Sequence, residues 1–308
     1  MQFFKKTNFD FLRLRKFMYV ASGVIILAGF VSLFVRGIDL GIDFIGGTEL
    51  IIDFDQKPSI GDIRTSLTTV GLAQSEIKSY GLGESVLIRT VQQGEGTEIG
   101  DRIRTAIAAS FPERTFDVLS QYKISPKIGE ELRTDALYAV AASLLVMLVY
   151  IGIRFKFVYG FGAVAAVFHD VLVALAFLSF VDGLFPFLNV EITLEVIAAF
   201  LTLVGISVND TVVVFDRIRE NLKIYRTMTL GEVINRSLND TLSRTLITQG
   251  TVLLVLFVLL LFGGEITRAF AFTLTVGTLA GTYSSIYIAS AIVLDWSLRK
   301  SKQTAGAK

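Results

Sequence analysis

The sequence predicts an α-helical polytopic membrane protein with six transmembrane helices and one small α+β, ferredoxin-like domain between helices one and two. Three observations lead there. The 308 residues are 52% hydrophobic, with a mean hydropathy of +0.61, too apolar for an ordinary soluble domain. Six apolar segments are each long enough to cross a bilayer core of about 30 Å, which takes roughly 20 helical residues. Charge is unevenly divided: residues 37–133 carry ten Lys/Arg against fifteen Asp/Glu, and the remainder nineteen against thirteen. A mildly acidic, water-soluble segment is thus set into a membrane region with basic flanks.

The predicted spans are 17–35, 136–153, 157–181, 192–215, 246–262 and 269–294. The fifth is short and recruits 241–245. The first follows a basic lead (Lys5, Lys6, Arg13, Arg15, Lys16). Its apolar run is long and no small-x-small site follows, so it reads as an uncleaved anchor. Lys and Arg collect in cytoplasmic loops. Arg154 and Lys156 lie between spans two and three. Arg217, Arg219, Lys223, Arg226, Arg236 and Arg244 lie between four and five, and Arg299, Lys300, Lys302 and Lys308 follow span six. Loop 182–191 has neither residue type and loop 263–268 has one. The expected organisation is a cytoplasmic segment 1–16, helix one over 17–35 and an extracytoplasmic domain over 36–135. Helices two to six fill 136–296 with a basic cytoplasmic link at 216–245, and 297–308 is a cytoplasmic tail.

Within the soluble segment, 49–54, 75–80, 85–91 and 115–124 read as strands. Residues 59–70 and 98–111 have helical spacing, the first behind a possible Ser59 cap. Gly81-Leu-Gly-Glu84 reads as a hairpin turn. The order strand-helix-strand-strand-helix-strand is the split motif of ferredoxin-like domains. Gly46, Gly47 and Thr48 stand where span one meets this domain, and the glycines suit a hinge, being free of the backbone limits of other residues. In the four–five link, Thr229-Leu-Gly-Glu232 fits a capping box opening a short interfacial helix through Ser237.

The polar residues inside the spans carry the functional signal. Ionisable groups in a membrane span are costly and mark ion pathways or buried pairs. Span four presents Ser207 and Asp210 on one face, with Asn209 and Thr211 beside them. Arg244 opens span five, toward the same membrane surface. An Asp210 that alternates between a protonated and an Arg-paired state is a proton switch; a structural salt bridge that sets helix register is the other reading, and the residues alone leave both open. His169 and Asp170 lie near the middle of span three, where histidine can relay protons or simply be hydrogen-bonded to a neighbour. Thr245, Thr248, Gln249 and Thr251 in span five, Thr278, Thr282 and Ser285 in span six, and Gly277-x-x-x-Gly281 suit close helix packing; lining a wet proton path, with Thr248, Ser207, Asn209, His169 and Asp170 as further candidates, is the other reading.

No cysteine is present, which removes thiolate chemistry and disulfides. No basic tract resembles a nucleic-acid arm, Gly46-Gly47-Thr48 lacks the Gly-Lys-Ser/Thr ending of a P-loop, and no catalytic constellation assembles. The expectation is a non-enzyme without cofactor or metal, coupled to H⁺ or, alternatively, Na⁺. A proton-driven exporter of lipids or small hydrophobic molecules and a non-conducting structural subunit are the competing readings.

Five stretches carry a family resemblance: Gly41-Ile-Asp-Phe-Ile-Gly-Gly-Thr48, Ser125-Pro-Lys-Ile-Gly-Glu-Glu-Leu132, Phe168-His-Asp170, Ser207-Val-Asn-Asp-Thr-Val-Val-Val-Phe-Asp-Arg-Ile-Arg-Glu-Asn221 and Ser243-Arg-Thr-Leu-Ile-Thr248. Together they resemble the SecD/SecF family of bacterial protein-export membrane proteins, whose architecture is similar to that of resistance–nodulation–division exporters. The resemblance covers nearly the whole chain. It implies a multi-pass protein of the bacterial cytoplasmic (inner) membrane that uses the proton motive force late in preprotein translocation and release. Implied partners are SecD, the SecYEG channel with its small membrane subunits, the translocating preprotein and membrane lipids, with no nucleic acid. It also places the proton path at Asp210 and Arg244.

Overall fold

The computed structural model describes residues 7–306, except 38, 82, 93, 156 and 182–190. Lys5, Lys6, Lys156 and Lys308, loop 182–190 and Leu82 of the hairpin turn therefore lie outside the described residues. Six helices are long and apolar enough to cross a membrane: Leu12–Arg36, Pro126–Arg154, Phe157–Val181, Leu194–Ile224, Leu230–Phe262 and Thr267–Lys300. In these terms α1 is Arg15–Arg36, preceded by a 3₁₀ turn. A one-turn helix α2 (Ile42–Ile45) follows it.

The inserted domain then runs β1 (Gly47–Phe54), α3 (Ile60–Thr68), β2 (Glu76–Tyr80), β3 (Ser85–Thr90), α4 (Glu98–Ser110) and β4 (Phe116–Ile124). The sheet order is β2-β3-β1-β4 and all neighbours are antiparallel. This is the ferredoxin-like arrangement that the order of elements predicts. The two helices cover one face of the sheet because alternate strand residues point that way. Leu50, Ile52 and Phe54 of β1, Val86 and Ile88 of β3, Ile63 and Leu67 of α3, and Ile103 and Ile107 of α4 form its core. Ser59 caps α3 by accepting from Asp62 N.

The other face of the sheet turns toward the helix bundle and is polar. Glu49↔Arg89 and Glu76↔Arg89 are directly opposed in the ladder, so Arg89 sits between two acids. Its guanidinium bonds Glu49 at 2.6 Å and reaches past the domain to Glu191, at 2.6 Å, just before α7. Lys78 bonds the same Glu191 at 3.0 Å. This ion cluster ties the domain to the bundle. Burial favours the neutral form of Glu191, but Arg89 and Lys78 outweigh it and hold the carboxyl below its ordinary value.

The bundle consists of α5 (Pro126–Arg154), α6 (Phe157–Val181), α7 (Leu194–Ile224), α8 (Leu230–Phe262), and α9 (Gly264–Ser284) continued by a π turn (Ser285–Ala289) into α10 (Ser290–Gly306). Helices α6, α7 and α9 form its centre, while α1, α5 and α8 leave most of their apolar surface exposed. Gly29 allows α1 to meet α6: a Cβ there would lie 2.2 Å from Ala176 Cβ.

Two expectations need correction. The link between spans four and five holds no separate interfacial helix. The capping box at Thr229 and Glu232 is present, but it opens the 33-residue α8 itself. No proline interrupts the stretch from Leu230 to Phe262, so the helix continues. Nor is the fifth span short: the helix that carries it runs from Leu230 to Phe262.

Arg89→Ala should leave half-buried Glu49 and buried Glu191 short of their main cation, costing about 3–5 kcal/mol and lowering the melting temperature of the purified protein. Because the Glu191 pKa is depressed, its contribution is present above the ordinary glutamate value and lost as pH falls through the depressed one. Domain docking, followed by a distance probe between domain and bundle, should stay constant from about pH 8 to about pH 5 and weaken only in stronger acid.

Candidate functional site: two buried carboxyls in the bundle

Helix α7 carries Ser207 and Asp210 one turn apart, so both face the same side. That side is the bundle interior, and Asp210 is 3% exposed. Its carboxylate accepts from Thr245 Oγ1 of α8 and from Ser285 Oγ of the π turn, both at 3.1 Å. Gln249, one turn further along α8, is buried on the same face. Two hydroxyls and the Gln249 amide hold this acid, and among the described residues it forms no ion pair.

Asp170 on α6 is 0% exposed. Its Oδ2 accepts from Ser207 Oγ at 2.5 Å and Ser284 Oγ at 2.8 Å. The π turn begins between the two serines, and adjacent positions on a helix point about 100° apart. Ser284 thereby serves Asp170 while Ser285 serves Asp210. π-Type turns inside helices often mark functional sites, and Ser290 Oγ holds this one by donating to Ser285 O at 2.8 Å. Close approach of α9 to α7 depends on Gly277, where a Cβ would lie 2.4 Å from a Leu203 methyl. The Gly277-x-x-x-Gly281 pattern therefore packs as expected.

His169 extends the network to α1. Its Nδ1 lies 2.9 Å from Asp170 Oδ1 and its Nε2 2.9 Å from Ser22 Oγ. Ser22 is 2.9 Å from Tyr283 OH, which donates to Met18 O at 2.7 Å. The hydrogens can be placed by elimination. Tyr283 gives its hydrogen to Met18, so Ser22 donates to Tyr283 and accepts from His169 Nε2. One proton then remains between Nδ1 and Asp170. Whether it sits on the ring or on the carboxyl, the pair has zero net charge, and a buried pair of that kind avoids much of the cost of an isolated ion.

The structure brings together Asp210, Asp170, His169 and Ser207, and it separates the other sequence candidates from them. Arg244 does not pair with Asp210: it lies on the exposed face of α8 and forms no ion pair among the described residues. The reason is helical phase, because Thr245, the next residue, takes the inward position. Asn209 and Thr248 are likewise exposed, and Thr248 donates to the Arg244 and Thr245 carbonyls of its own helix. Gly46 (φ +71) and Gly47 (φ +138) adopt backbone angles other residues avoid, but they form a packed corner. A Cβ on Gly46 would lie 2.8 Å from Pro126 Cα, and one on Gly47 2.4 Å from Thr90 O. Thr48 beside them is buried, and its hydroxyl has no partner among the described residues. Sequence reasoning missed Ser22, Tyr283 and Ser284, since a lone hydroxyl in an apolar run gives no sign of which helix it will face.

A six-helix bundle with a split βαββαβ domain after its first helix and buried acids in its third and fourth defines a class of membrane transport proteins. Residues 104–299 match the family "Protein export membrane protein SecD/SecF, C-terminal", and residues 31–58 match the "SecD/SecF GG Motif". The chain is 48% identical to the protein translocase subunit SecF of Rhodothermus marinus, over 96% of this chain and 95% of the relative. It is 40% identical to the same subunit of Desulfurispirillum indicum, over 93% and 91%. The crystal structure of SecDF from Thermus thermophilus, described as a translocon-associated membrane protein, superposes with a TM-score of 0.83 at 34% identity. That match covers 94% of this chain but 39% of the SecDF chain. SecDF in a super-membrane-facing form matches at 0.73 and 32%, over 100% and 41%. This chain thus spans about two fifths of the solved SecDF chains. The chain belongs to the SecD/SecF family, as a SecF subunit of the protein translocase.

Ser22→Ala should leave His169 Nε2 buried without its partner, at a cost of about 1–3 kcal/mol. A fall in melting temperature of the detergent-solubilised protein, absent in Val24→Ala on the exposed face of the same helix, is the expected result.

Proposed function

We propose that this subunit couples passage of an ion, H⁺ in the first instance, through the region of Asp210 and Asp170 to movement of the inserted domain, which draws a translocating polypeptide outward in late translocation and release. The observation that carries this reading is the setting of Asp210: a carboxyl deep in a membrane bundle, held by neutral groups alone, the hydroxyls of Thr245 and Ser285 and the amide of Gln249. Leaving it ionised there is costly without a cation. The carboxyl therefore has reason to take up a proton in this arrangement and to give it up only where a cation is offered. Arg244 is one position, about 100°, around α8 from Thr245. A rotation of α8 by about that angle, or an approach of another subunit, would exchange a hydroxyl partner for a guanidinium or another cation. A proton crossing the full membrane potential delivers about 2.3 kcal/mol per 100 mV, enough to drive such an exchange.

The partner in this reading is SecD, on the exposed face where Asn209, Arg244 and Thr248 lie. A guanidinium at membrane depth calls for an anion, and an acidic side chain of a neighbouring membrane helix would supply it. The name SecDF for the matched structures supports a combined assembly, and the translocon association stated for one of them supports action beside the SecYEG channel. The distribution of Lys and Arg supports cytoplasmic termini and an outward-facing domain in the bacterial inner membrane. The same polar cluster could serve Na⁺ in place of H⁺. The reading is of a transport subunit, in keeping with relatives named as translocase subunits.

Asp210→Asn keeps the size and the hydrogen-bonding oxygen of the side chain but removes its proton chemistry. At unchanged membrane abundance it should abolish the gradient-dependent part of preprotein export, measured in inverted vesicles with imposed pH or sodium gradients. Undiminished export would reduce the acid to a structural role. Export lost only when the sodium gradient is removed would identify Na⁺ as the coupling ion.

A further inference from the structure

We propose that Asp43 is a positioning residue that ties the inserted domain to the first turn of α7, so that the domain and the helix bearing Asp210 move as one part. The tie lies in the short segment between α1 and β1. Leu40 and Ile192 form an isolated parallel bridge. Gly41 N donates to Ile192 O, and Ile192 N to Asp39 O, both at 2.8 Å. Asp43, 8% exposed, then accepts from Leu194 N at 3.0 Å.

Leu194 is the first residue of α7. The first backbone N–H groups of a helix have no partner within it, and they favour a negative side chain. α7 has a cap of its own, but Thr193 Oγ1 stands 3.4 Å from Val196 N. The shorter bond comes from Asp43, 151 positions away in sequence. Among the hydrogen bonds of the described residues, this is the one by which the inserted segment holds the first turn of α7. The ion cluster grips Glu191, three positions before the helix begins.

The segment has no slack in which to slip. A Cβ on Gly41 would lie 2.7 Å from Thr193 Cγ2. On the opposite side, Cβ atoms on Gly46 and Gly129 would lie 2.8 Å from Pro126 Cα and 3.1 Å from Phe44 O. The loop is thus wedged between the first turns of α5 and α7, and its next residue, Gly47, begins β1. From Leu194 to Asp210 the helix is continuous, so at 1.5 Å per residue a push on its first turn is carried about 24 Å to the buried acid. Burial is the largest influence on the Asp43 carboxyl and raises its pKa; the α7 amide and Arg89 oppose this, and Glu195 and Glu191 reinforce it. A carboxyl buried at such cost is held there by what it bonds.

The coupling half of this inference rests on the ion-driven reading above; the tie itself does not. The test uses the full chain with its partner subunit in membrane vesicles, comparing Asp43→Ala with Asp43→Asn, whose amide oxygen can accept the same N–H. Three quantities are read: amide exchange of residues 194–197, the distance between spin labels at Glu113→Cys and Leu222→Cys, and gradient-dependent export. Asp43→Ala should speed exchange about tenfold, the loss of roughly one hydrogen bond, broaden the label distance and remove gradient-dependent export. Asp43→Asn should restore all three. Unchanged exchange in Asp43→Ala overturns the tie. Fast exchange with undiminished export overturns the coupling, as does an Asn variant whose exchange recovers without export. Should Asp43→Ala lower the amount of protein in the membrane, Asp43→Ser, polar but too short to reach Leu194, gives the same readings. Normal export by Asp210→Asn would sink the ion-driven reading, while exchange and label distance would still judge the tie.

Discussion

A carboxyl inside a membrane bundle must be neutral, paired or hydrogen-bonded, and this constraint shapes the centre of the molecule. Asp170 and Asp210 are enclosed by hydroxyls from four helices: Ser207, Thr245, Ser284 and Ser285 bond them directly, and Ser22 reaches Asp170 through His169. The close packing of α7 and α9 at Gly277, of α1 and α6 at Gly29, and the π turn all serve that enclosure. Each brings a polar hydrogen to an acid that lipid could not satisfy.

The two acids differ in kind. Asp170 has a base bonded to it, with His169 Nδ1 at 2.9 Å. Asp210 has two hydroxyls and the amide of Gln249, neutral groups that stabilise an anion less than a cation does. The exposed guanidinium one residue from Thr245 gives the outer face of α8 a chemical demand that a lone subunit leaves unmet.

At the domain end, a different balance operates. The polar face of the sheet meets the bundle through Arg89, Lys78 and Glu191, where paired ions offset their own desolvation. Asp43 and the glycine corner at Gly46 and Gly47 add short-range bonds and close contact. The domain is anchored at the starts of α5 and α7 rather than tethered by a loop.

Much of this was legible in the residues themselves. Length and hydropathy determined six spans, because crossing a bilayer sets a minimum apolar run. Alternation and helical spacing determined the βαββαβ order and its sheet, because one buried face imposes a period on the sequence. An acid at position 210 announced the site for the same energetic reason. What the sequence could not supply was azimuth and partnership across long separations. Arg244 and Thr245 are neighbours in the chain, yet one faces out and the other bonds Asp210, and only packing of α7, α8 and α9 decides which. Ser22 meets His169, and Asp43 meets Leu194, across 147 and 151 positions. The stretch from Leu230 into span five continued as one helix because no breaking residue intervened. The sequence by itself determined which residues had to leave water; the tertiary structure decided what they met there, since a helix's rotation about its axis is set by all its neighbours at once.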